Sequence, residues 1–293
     1  MARPAAWTNV GVDAAPTGGP AGMTDRSTLI RRVLSVSSGL ILLGIILYLR
    51  GGRAAEPIPT VREIAPGVFS RQLQYRSANQ TFVVFDDYVV VFDPGEVVEV
   101  RGLMDAIRAR TDRPVRYVVS SHFHPDHAAG ASVFEMEGAE IIAGAGGRFS
   151  YEGWARNLFL RRVEEEETGF SPLQYPRFTF IDQPLILDDG NQRMEIRHYG
   201  HGHTTGDLIA WLPKHGVLLV SDVSNNGPLN LANANIASWI DVLRQLLELP
   251  VQTVVPGHGE RGGRELLEMN SRFLTEMLAL VGDMVTRGMS YED

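Results

Sequence analysis

Hydrophobic residues recur along residues 61–293 with two different periods, which together predict a domain of strands and helices. Helices are indicated where apolar residues lie three and four positions apart, at 96–110, 128–137, 236–249 and 264–285. Strands are indicated by alternating or continuous apolar runs at 61–73, 81–93, 115–120 and 139–143. The run at 81–93 should turn at Asp86 and Asp87.

The first 60 residues do not follow this pattern. Residues 1–28 are rich in Ala, Pro, Gly and Thr and have no apolar period, so we expect them to be disordered. Residues 33–49 are uncharged over 17 positions, which as a helix is about 25 Å and close to the minimum for crossing a bilayer. We predict a transmembrane signal anchor at 29–50 and a linker at 51–60.

Two other interpretations of the apolar segment are weaker. A cleaved signal peptide would need a small residue where Arg53 lies. A core helix is disfavoured because the segment is apolar on all sides and lies outside the domain. The charges that favour a cytoplasmic amino terminus and an extracytoplasmic domain are Arg26, Arg31 and Arg32, although Arg50 and Arg53 on the far side oppose them.

Charge and composition limit the partners of the domain. The first 60 residues have six arginines against three acidic residues, a balance of +3, so the overall charge of −8 leaves −11 for residues 61–293. Such a domain would repel a polyanion, so we expect a small-molecule substrate and no nucleic-acid partner. The chain has no cysteine, so disulfides and thiolate metal ligands are excluded.

A run of metal-binding side chains follows the strand predicted at 115–120. Residues 121–127 read Ser-His-Phe-His-Pro-Asp-His, and the potential ligands among them are His122, His124, Asp126 and His127. Imidazole and carboxylate suit zinc and similar metals, and at the end of a strand they can converge on one point. A loop rich in histidine by chance is disfavoured, because only eight of the 293 residues are histidine.

Three further candidate ligands lie later in the chain. His203 lies in a glycine-rich segment, Asp222 follows the apolar run 217–220, and His258 follows Val254 and Val255 within Pro-Gly-His-Gly. Each of them alone would more often be a turn or cap residue. Together they favour one site, because each ends a short β-rich run and would project from the same edge of a sheet or sandwich.

The His-X-His-X-Asp-His block, followed by a distant His, an Asp and a final His, resembles the metallo-β-lactamase-fold hydrolase superfamily over about residues 61–260. The resemblance implies an α+β fold, a four-layer αβ/βα sandwich, with a dinuclear zinc centre at one edge of a catalytic domain at 61–293. It implies that His122, His124 and His203 hold the first metal, that Asp126, His127 and His258 hold the second, and that Asp222 bridges them.

Two such ions can share a hydroxide that attacks the substrate, and Asp126 would be the catalytic residue that orients it or accepts its proton. Asp207 has two interpretations, as a carboxylate that fixes an imidazole tautomer or as a turn residue. The histidines without a place in the pattern are expected to be structural or exposed: His198, His201 and His215.

Differences from particular subfamilies narrow the function. Class B1 β-lactamases have a Cys near the position of Asp222 and a Lys shortly after it, whereas this chain has no Cys and continues with Ser224-Asn225-Asn226. Diiron flavoprotein relatives usually have Glu at the position of His124. We therefore predict a membrane-anchored hydrolase that cleaves a small ester, thioester, lactone or lactam. The alternatives are a phosphodiesterase of the same fold, which would need a basic groove, and a non-catalytic exported protein that binds a metal or a partner.

Residues 144–177 are the most individual part of the domain. Four of their aromatic residues alternate with arginines, namely Phe149, Tyr151, Trp154 and Phe159. The segment is expected to be an apolar lid over the active site or an amphipathic surface helix, and its aromatic residues could also rest on the bilayer.

The membrane anchor gives a first testable prediction. The full-length protein should fractionate with membranes, because residues 33–49 are apolar throughout, and protease added from the extracytoplasmic side should digest its domain. Fractionation followed by protease treatment of intact and opened cells measures both. A soluble protein contradicts the anchor, and digestion only after opening contradicts the orientation.

Overall fold

The computed structural model describes residues 60–73, 77–165 and 173–289, without the side chains of 162–165. The strands are β1 (Thr60–Ala65), β2 (Val68–Gln72), β3 (Gln80–Val84), β4 (Val89–Phe92), β5 (Val115–Val119), β6 (Glu140–Gly144), β7 (Phe178–Ile181), β8 (Leu185–Asp188), β9 (Arg193–Arg197), β10 (Ile209–Leu212), β11 (Val217–Ser221) and β12 (Thr253–Pro256). The helices are α1 (Val97–Arg108), α2 (Pro125–Ala128), α3 (Ala131–Met136), α4 (Arg156–Glu165), α5 (Ile236–Leu247) and α6 (Arg264–Thr286). Three short helical turns precede α4, at Ala145–Gly147, Arg148–Ser150 and Tyr151–Ala155.

The described strands form two mixed sheets. The first has the order β1-β2-β3-β4-β5-β6-β7, antiparallel from β1 to β4 and parallel from β4 to β7. The second has the order β12-β11-β10-β9-β8, in which only the β11–β12 pair is parallel. The carboxyl ends of β4 and β5 and those of β11 and β12 carry the loops that build the site described below.

Alternate residues of the central strands belong to different cores. In β4, Val90 and Phe92 join the core between the two sheets, whereas Val89 and Val91 join a core that includes residues of α1, α3 and α4. In β11, Leu219 faces the first core, and Leu218 and Val220 join a third core with α5 and α6. This period of two, with both faces buried, follows from the pleat of a strand.

The resulting order of layers is helix, sheet, sheet, helix, as the sequence resemblance implies. Trp239 of α5 is fully buried against the second sheet, and Leu103 of α1 is fully buried against the first. Each helix therefore covers the outer face of one sheet, and the inner faces cover each other.

Two predicted elements are divided in the structure. The strand predicted at 61–73 is the hairpin of β1 and β2, which turns at Gly67 with a φ of 73°. The helix predicted at 128–137 is interrupted before α3, where Gly130 donates its N–H to the carbonyl of Gly95 at 2.7 Å. A Cβ at Gly130 would lie 2.8 Å from that oxygen, so the close approach requires glycine.

The other predicted helices and strands occur within a few residues of their expected bounds, including the turn at Asp86 and Asp87 between β3 and β4. The strands β7 to β10 were not predicted from the sequence. The strands β7, β8 and β10 are only four residues long. On β9, charged residues interrupt the apolar pattern, and Arg193 and Arg197 both form ion pairs with Glu195. The predicted disordered segment, membrane anchor and linker lie outside the described residues, apart from Thr60. Among the described helices, none is long and apolar enough to cross a membrane.

Candidate metal centre

The candidate ligands lie on loops from both sheets. The Ser-His-Phe-His-Pro-Asp-His block follows β5 of the first sheet, while Asp222 and His258 follow β11 and β12 of the second. His203 lies on the connection from β9 to β10, which brings it to the same edge. All seven side chains approach one another, so the site occupies the edge where the ends of two packed sheets meet.

The first group of ligating atoms comes from His122, His124, His203 and Asp222. His124 Nδ1 lies 3.0 Å from His122 Nε2 and 3.1 Å from His203 Nε2. Asp222 Oδ2 lies 3.5 Å from His203 Nε2. His124 is partly exposed, whereas the other three are buried.

The second group comes from Asp126, His127 and His258. Asp126 Oδ2 lies 3.3 Å from His258 Nε2 and 3.5 Å from His127 Nε2. Asp222 Oδ1 lies 3.4 Å and 3.5 Å from the same two nitrogens. Asp222 therefore presents one oxygen to each group.

The spacing and burial of these atoms fit a divalent cation. His127 Nε2 and Asp222 Oδ1 are buried, and neither has a hydrogen-bond partner among the described residues. A buried polar atom without a partner costs about 1–3 kcal/mol. Ligand atoms about 2.0–2.2 Å from a tetrahedral metal lie about 3.3–3.6 Å from one another. A bound cation would therefore coordinate these atoms with little change in the distances between them.

Protonation distinguishes the two groups. Burial and the neighbouring imidazoles hold the pKa of His122 well below its usual value, and burial lowers the pKa of His203 to about 4. Both rings are thus neutral at pH 7 and can offer a lone pair. Burial also opposes charge on His127, but the carboxylates of Asp126, Asp93 and Asp222 outweigh it and raise the pKa of His127 to about 10. A metal in the second group would replace that proton.

Asp93 is the main residue that the sequence analysis missed. It follows β4, is buried, and accepts hydrogen bonds from Ser121 N at 2.8 Å and Ser221 Oγ at 2.7 Å. Its Oδ2 lies 2.9 Å from His127 Nδ1, which leaves Nε2 of that ring to face the second group. The signal was available, since Asp93 ends a buried apolar run in the same way as Asp222 does.

A set of asparagines holds the loop of His258. Asn225 Oδ1 accepts a hydrogen bond from His258 N at 2.8 Å, and Asn270 Nδ2 donates to the carbonyl of Asn225 at 3.0 Å. Asn79 Nδ2 donates to two carbonyls of the His258 loop, each at 2.9 Å. Gly257 lets this loop pass close to Asp222, because a Cβ there would lie 1.9 Å from Asp222 Oδ1. No sequence signal distinguishes these asparagines from other asparagines of the chain.

The imidazoles of the first group are also held through their second ring nitrogens. His122 Nδ1 lies 3.0 Å from Ser121 Oγ, and His203 Nδ1 lies 2.9 Å from the carbonyl of Asn230. His124 Nε2 lies 3.1 Å from Asn233 Oδ1. Such outer partners fix the tautomer and direction of a ligating ring.

Asp207 agrees with its interpretation as a turn residue. Its carboxylate accepts a hydrogen bond from Thr204 N at 2.9 Å, and burial raises the pKa of Asp207 to about 7. The three remaining histidines are structural as expected, and each ring bonds to one acceptor: His198 to the carbonyl of Asp207, His201 to that of Asn233, and His215 to Gln192 Oε1.

The segment that begins at residue 144 has features of both predicted structures, the lid over the active site and the amphipathic surface helix. Tyr151 and Phe159 are buried and pack in the core, as in an amphipathic helix. Trp154 lies on the π-helical turn and is 50% exposed, with its ring centroid 5.7 Å from that of Phe123 and 6.0 Å from that of His124. It forms one wall of a cavity of about 760 Å³ that also contains His124, Asp126, Asp222 and His258.

Comparisons with known proteins show the family of the chain. The Metallo-beta-lactamase superfamily profile matches residues 74–258. Metallo-beta-lactamase IND-1 of Chryseobacterium indologenes is 28% identical over 195 residues, which are 64% of this chain and 74% of that protein. Metallo-beta-lactamase type 2 of Bacillus cereus is 26% identical over 171 residues, 56% of this chain and 60% of that protein.

A solved structure shows the same fold. It is a metallo-beta-lactamase from Pontibacter korlensis, with a TM-score of 0.59 and 20% identity, and the match covers 74% of this chain and 98% of that one. The chain belongs to the metallo-β-lactamase superfamily. Its site is that of a metallo-hydrolase of this superfamily, with a His and Asp cluster suited to a divalent metal.

The contacts of Asp93 generate the second prediction. Asp93→Asn keeps the size of the side chain but removes the charge beside His127, so the affinity of the second group for zinc should fall about 10–100-fold. Titration of the metal-free protein with zinc against a chromophoric chelator measures the affinity.

Asp241→Asn is the matched control, because Asp241 is exposed on α5 and its carboxylate forms an ion pair with Arg244, away from the candidate ligands. It should leave both affinities unchanged. If Asp93→Asn melts at the normal temperature and binds zinc normally, Asp93 does not position His127.

Proposed function

We propose that the chain is a dizinc hydrolase that cleaves a small ester, thioester, lactone or lactam. The observation that carries the proposal is the position of Asp222 between the two groups. Its Oδ2 faces His203, and its Oδ1 faces His127 and His258. A carboxylate shared in this way is what two ions about 3.5–4 Å apart require.

In this proposal, one ion would be held by His122, His124 and His203, and the other by Asp126, His127 and His258. Asp222 would be shared between them. When bound, two such ions lower the pKa of water and polarise the oxygen of the scissile carbonyl. The protein supplies the cavity in which the substrate lies. It also supplies fixed ligands, because four of the ligating imidazoles are bonded through their outer ring nitrogens: His122, His124, His127 and His203.

Asp126 is the proposed catalytic residue. It lines the cavity and is 26% exposed at its side chain, so its carboxylate reaches both the second group and the substrate space. Burial raises its pKa, but His127 and His258 more than offset this and hold the pKa of Asp126 well below its usual range. The carboxylate is therefore ionised at neutral pH. Its position between the second group and the substrate space is what lets it orient the attacking water and accept its proton.

The described residues that line the cavity include no lysine or arginine. This favours an acyl substrate over the alternative of a phosphodiester, because the metal ions alone, without any cationic side chain, would have to balance the charge of a phosphodiester. The non-catalytic alternative is less favoured because all seven candidate ligands are present, whereas a protein that has lost turnover usually lacks at least one of them. We also propose attachment to a membrane through residues 29–50, which rests on the sequence alone.

The third prediction concerns metal content. The full-length protein should bind two zinc ions per chain, and His258→Ala should bind one, because the second group loses a ligand while the first keeps its three imidazoles. Elemental analysis after equilibration with zinc measures the ratio. His215→Ala is the control and should bind two zinc ions, since the ring of His215 bonds to Gln192 and not to a candidate ligand. One ion in the unaltered protein would remove the dinuclear proposal.

The fourth prediction separates catalysis by Asp126 from metal binding. Asp126→Asn keeps one oxygen but cannot accept a proton, so kcat and kcat/KM should fall together by about 10²–10⁴-fold, with KM little changed. The assay uses whichever substrate a screen of small esters, thioesters, lactones, lactams and a phosphodiester identifies.

The first group should keep its zinc in Asp126→Asn, and elemental analysis of the same sample checks this. Near-normal turnover by the variant would make Asp126 a structural residue and would contradict the mechanism. Preferential cleavage of the phosphodiester by the unaltered protein would contradict the proposed substrate class.

A further inference from the structure

One side of the catalytic cavity is apolar and open to solvent. Its apolar wall is formed by Phe123, Trp154, Leu229 and Leu231. Trp154 is half exposed although it lies beside the ligand His124. Apolar area next to a reaction site is stabilised when a ligand covers it, at about 25 cal/mol per Å².

The polar part of the wall is uncharged. Apart from the candidate metal ligands, the described polar side chains of the cavity are Ser150, Asn225, Asn230 and Asn233. An anionic group on the substrate, placed away from the metals, would lose its hydration without gaining a cation. The wall therefore suits a neutral substrate.

The apolar surface continues out of the cavity. Pro228 and Leu229 line the cavity and also a second hollow of about 180 Å³, which Met269 and Phe273 of α6 complete. Met269 is 38% and Phe273 is 51% exposed, so their apolar surfaces face the solvent side of this hollow.

The loop that joins the two hollows is held at both ends. Asn270 bonds to both backbone groups of Asn225 before the loop, and the carbonyl of Asn230 lies 2.9 Å from His203 Nδ1 after it. Asn270 is itself buried and lines the outer hollow. The loop shared by the two hollows is thus fixed in place before a ligand binds, and the two hollows together can form one path from the metal ligands to Phe273.

We infer that this path binds the apolar tail of the substrate, which is a neutral ester or lactone with an extended alkyl chain. The reacting carbonyl lies at the metal ligands, and the chain passes Leu229 and Leu231 to the outer hollow at Met269 and Phe273. This inference rests on the proposed hydrolase function, whose substrate class it narrows.

The test compares neutral acyl esters of increasing chain length with esters that carry a carboxylate at the end of the same chain. For the full-length zinc-loaded protein, kcat/KM should rise about two- to fourfold per methylene until the path is filled. A terminal carboxylate should lower kcat/KM at least about tenfold for the longest chain.

Phe273→Ala should lower kcat/KM about five- to twentyfold for the longest neutral ester and less than about twofold for the shortest. Leu280→Ala is the matched control, because Leu280 is an exposed apolar residue of the same helix outside the outer hollow. It should leave the chain-length dependence unchanged, and both variants should keep their zinc.

Binding of 1-octanol, measured by titration calorimetry, tests the path without turnover. Phe273→Ala should bind it about tenfold more weakly than Leu280→Ala does. Hydrolysis that is independent of chain length, a preference for the carboxylate-tailed ester, or equal octanol binding by the two variants overturns the inference. Tight octanol binding without hydrolysis of any substrate by the zinc-loaded protein would contradict the proposed function and leave the apolar path in place.

Discussion

The rest of the site depends on the hydrogen bonds to the buried carboxylate of Asp93. A buried charge is tolerated only when several donors surround it, and Asp93 has donors from the ends of two strands, Ser121 after β5 and Ser221 in β11. Asp93 and Ser221 both have positive φ, 55° and 49°, which non-glycine residues rarely adopt. The hydrogen-bond network that stabilises these conformations also connects the first sheet to the second. The candidate metal ligands of both sheets meet at this connection.

The charge distribution around Asp93 explains why the ligand cluster needs a cation. Three carboxylates, Asp93, Asp126 and Asp222, lie close to His127 within a largely buried region. Without a metal, their charge is balanced in part by a proton on His127, whose pKa is raised to about 10. The first group has neutral imidazoles instead. The two halves of the site thus present different chemistry to a metal, although Asp222 is common to both.

The outer walls of the cavity come from other segments of the chain than the candidate metal ligands do. The ligand loops follow core strands and are fixed by buried hydrogen bonds, whereas the outer walls come from the turn that carries Trp154 and from the loop with Pro228 and Leu229. A π-helical turn is uncommon and often occurs at functional sites. In this structure it directs Trp154 toward the ligand edge while Tyr151, on the same turn, stays in the core.

The sequence by itself determined the α+β character of the domain, most of its helices and core strands, and the identity of the seven candidate ligands, because apolar period and residue chemistry are local properties. Only the tertiary structure decided that β7 to β10 complete the sheets, since three of them are only four residues long and charged residues interrupt the apolar period of β9. It also decided the roles of Asp93, Asn225 and Asn270, which depend on donors far away in the chain. Hydrogen-bond partners more than 100 positions apart, such as Asp93 and Ser221, meet only when both sheets have packed.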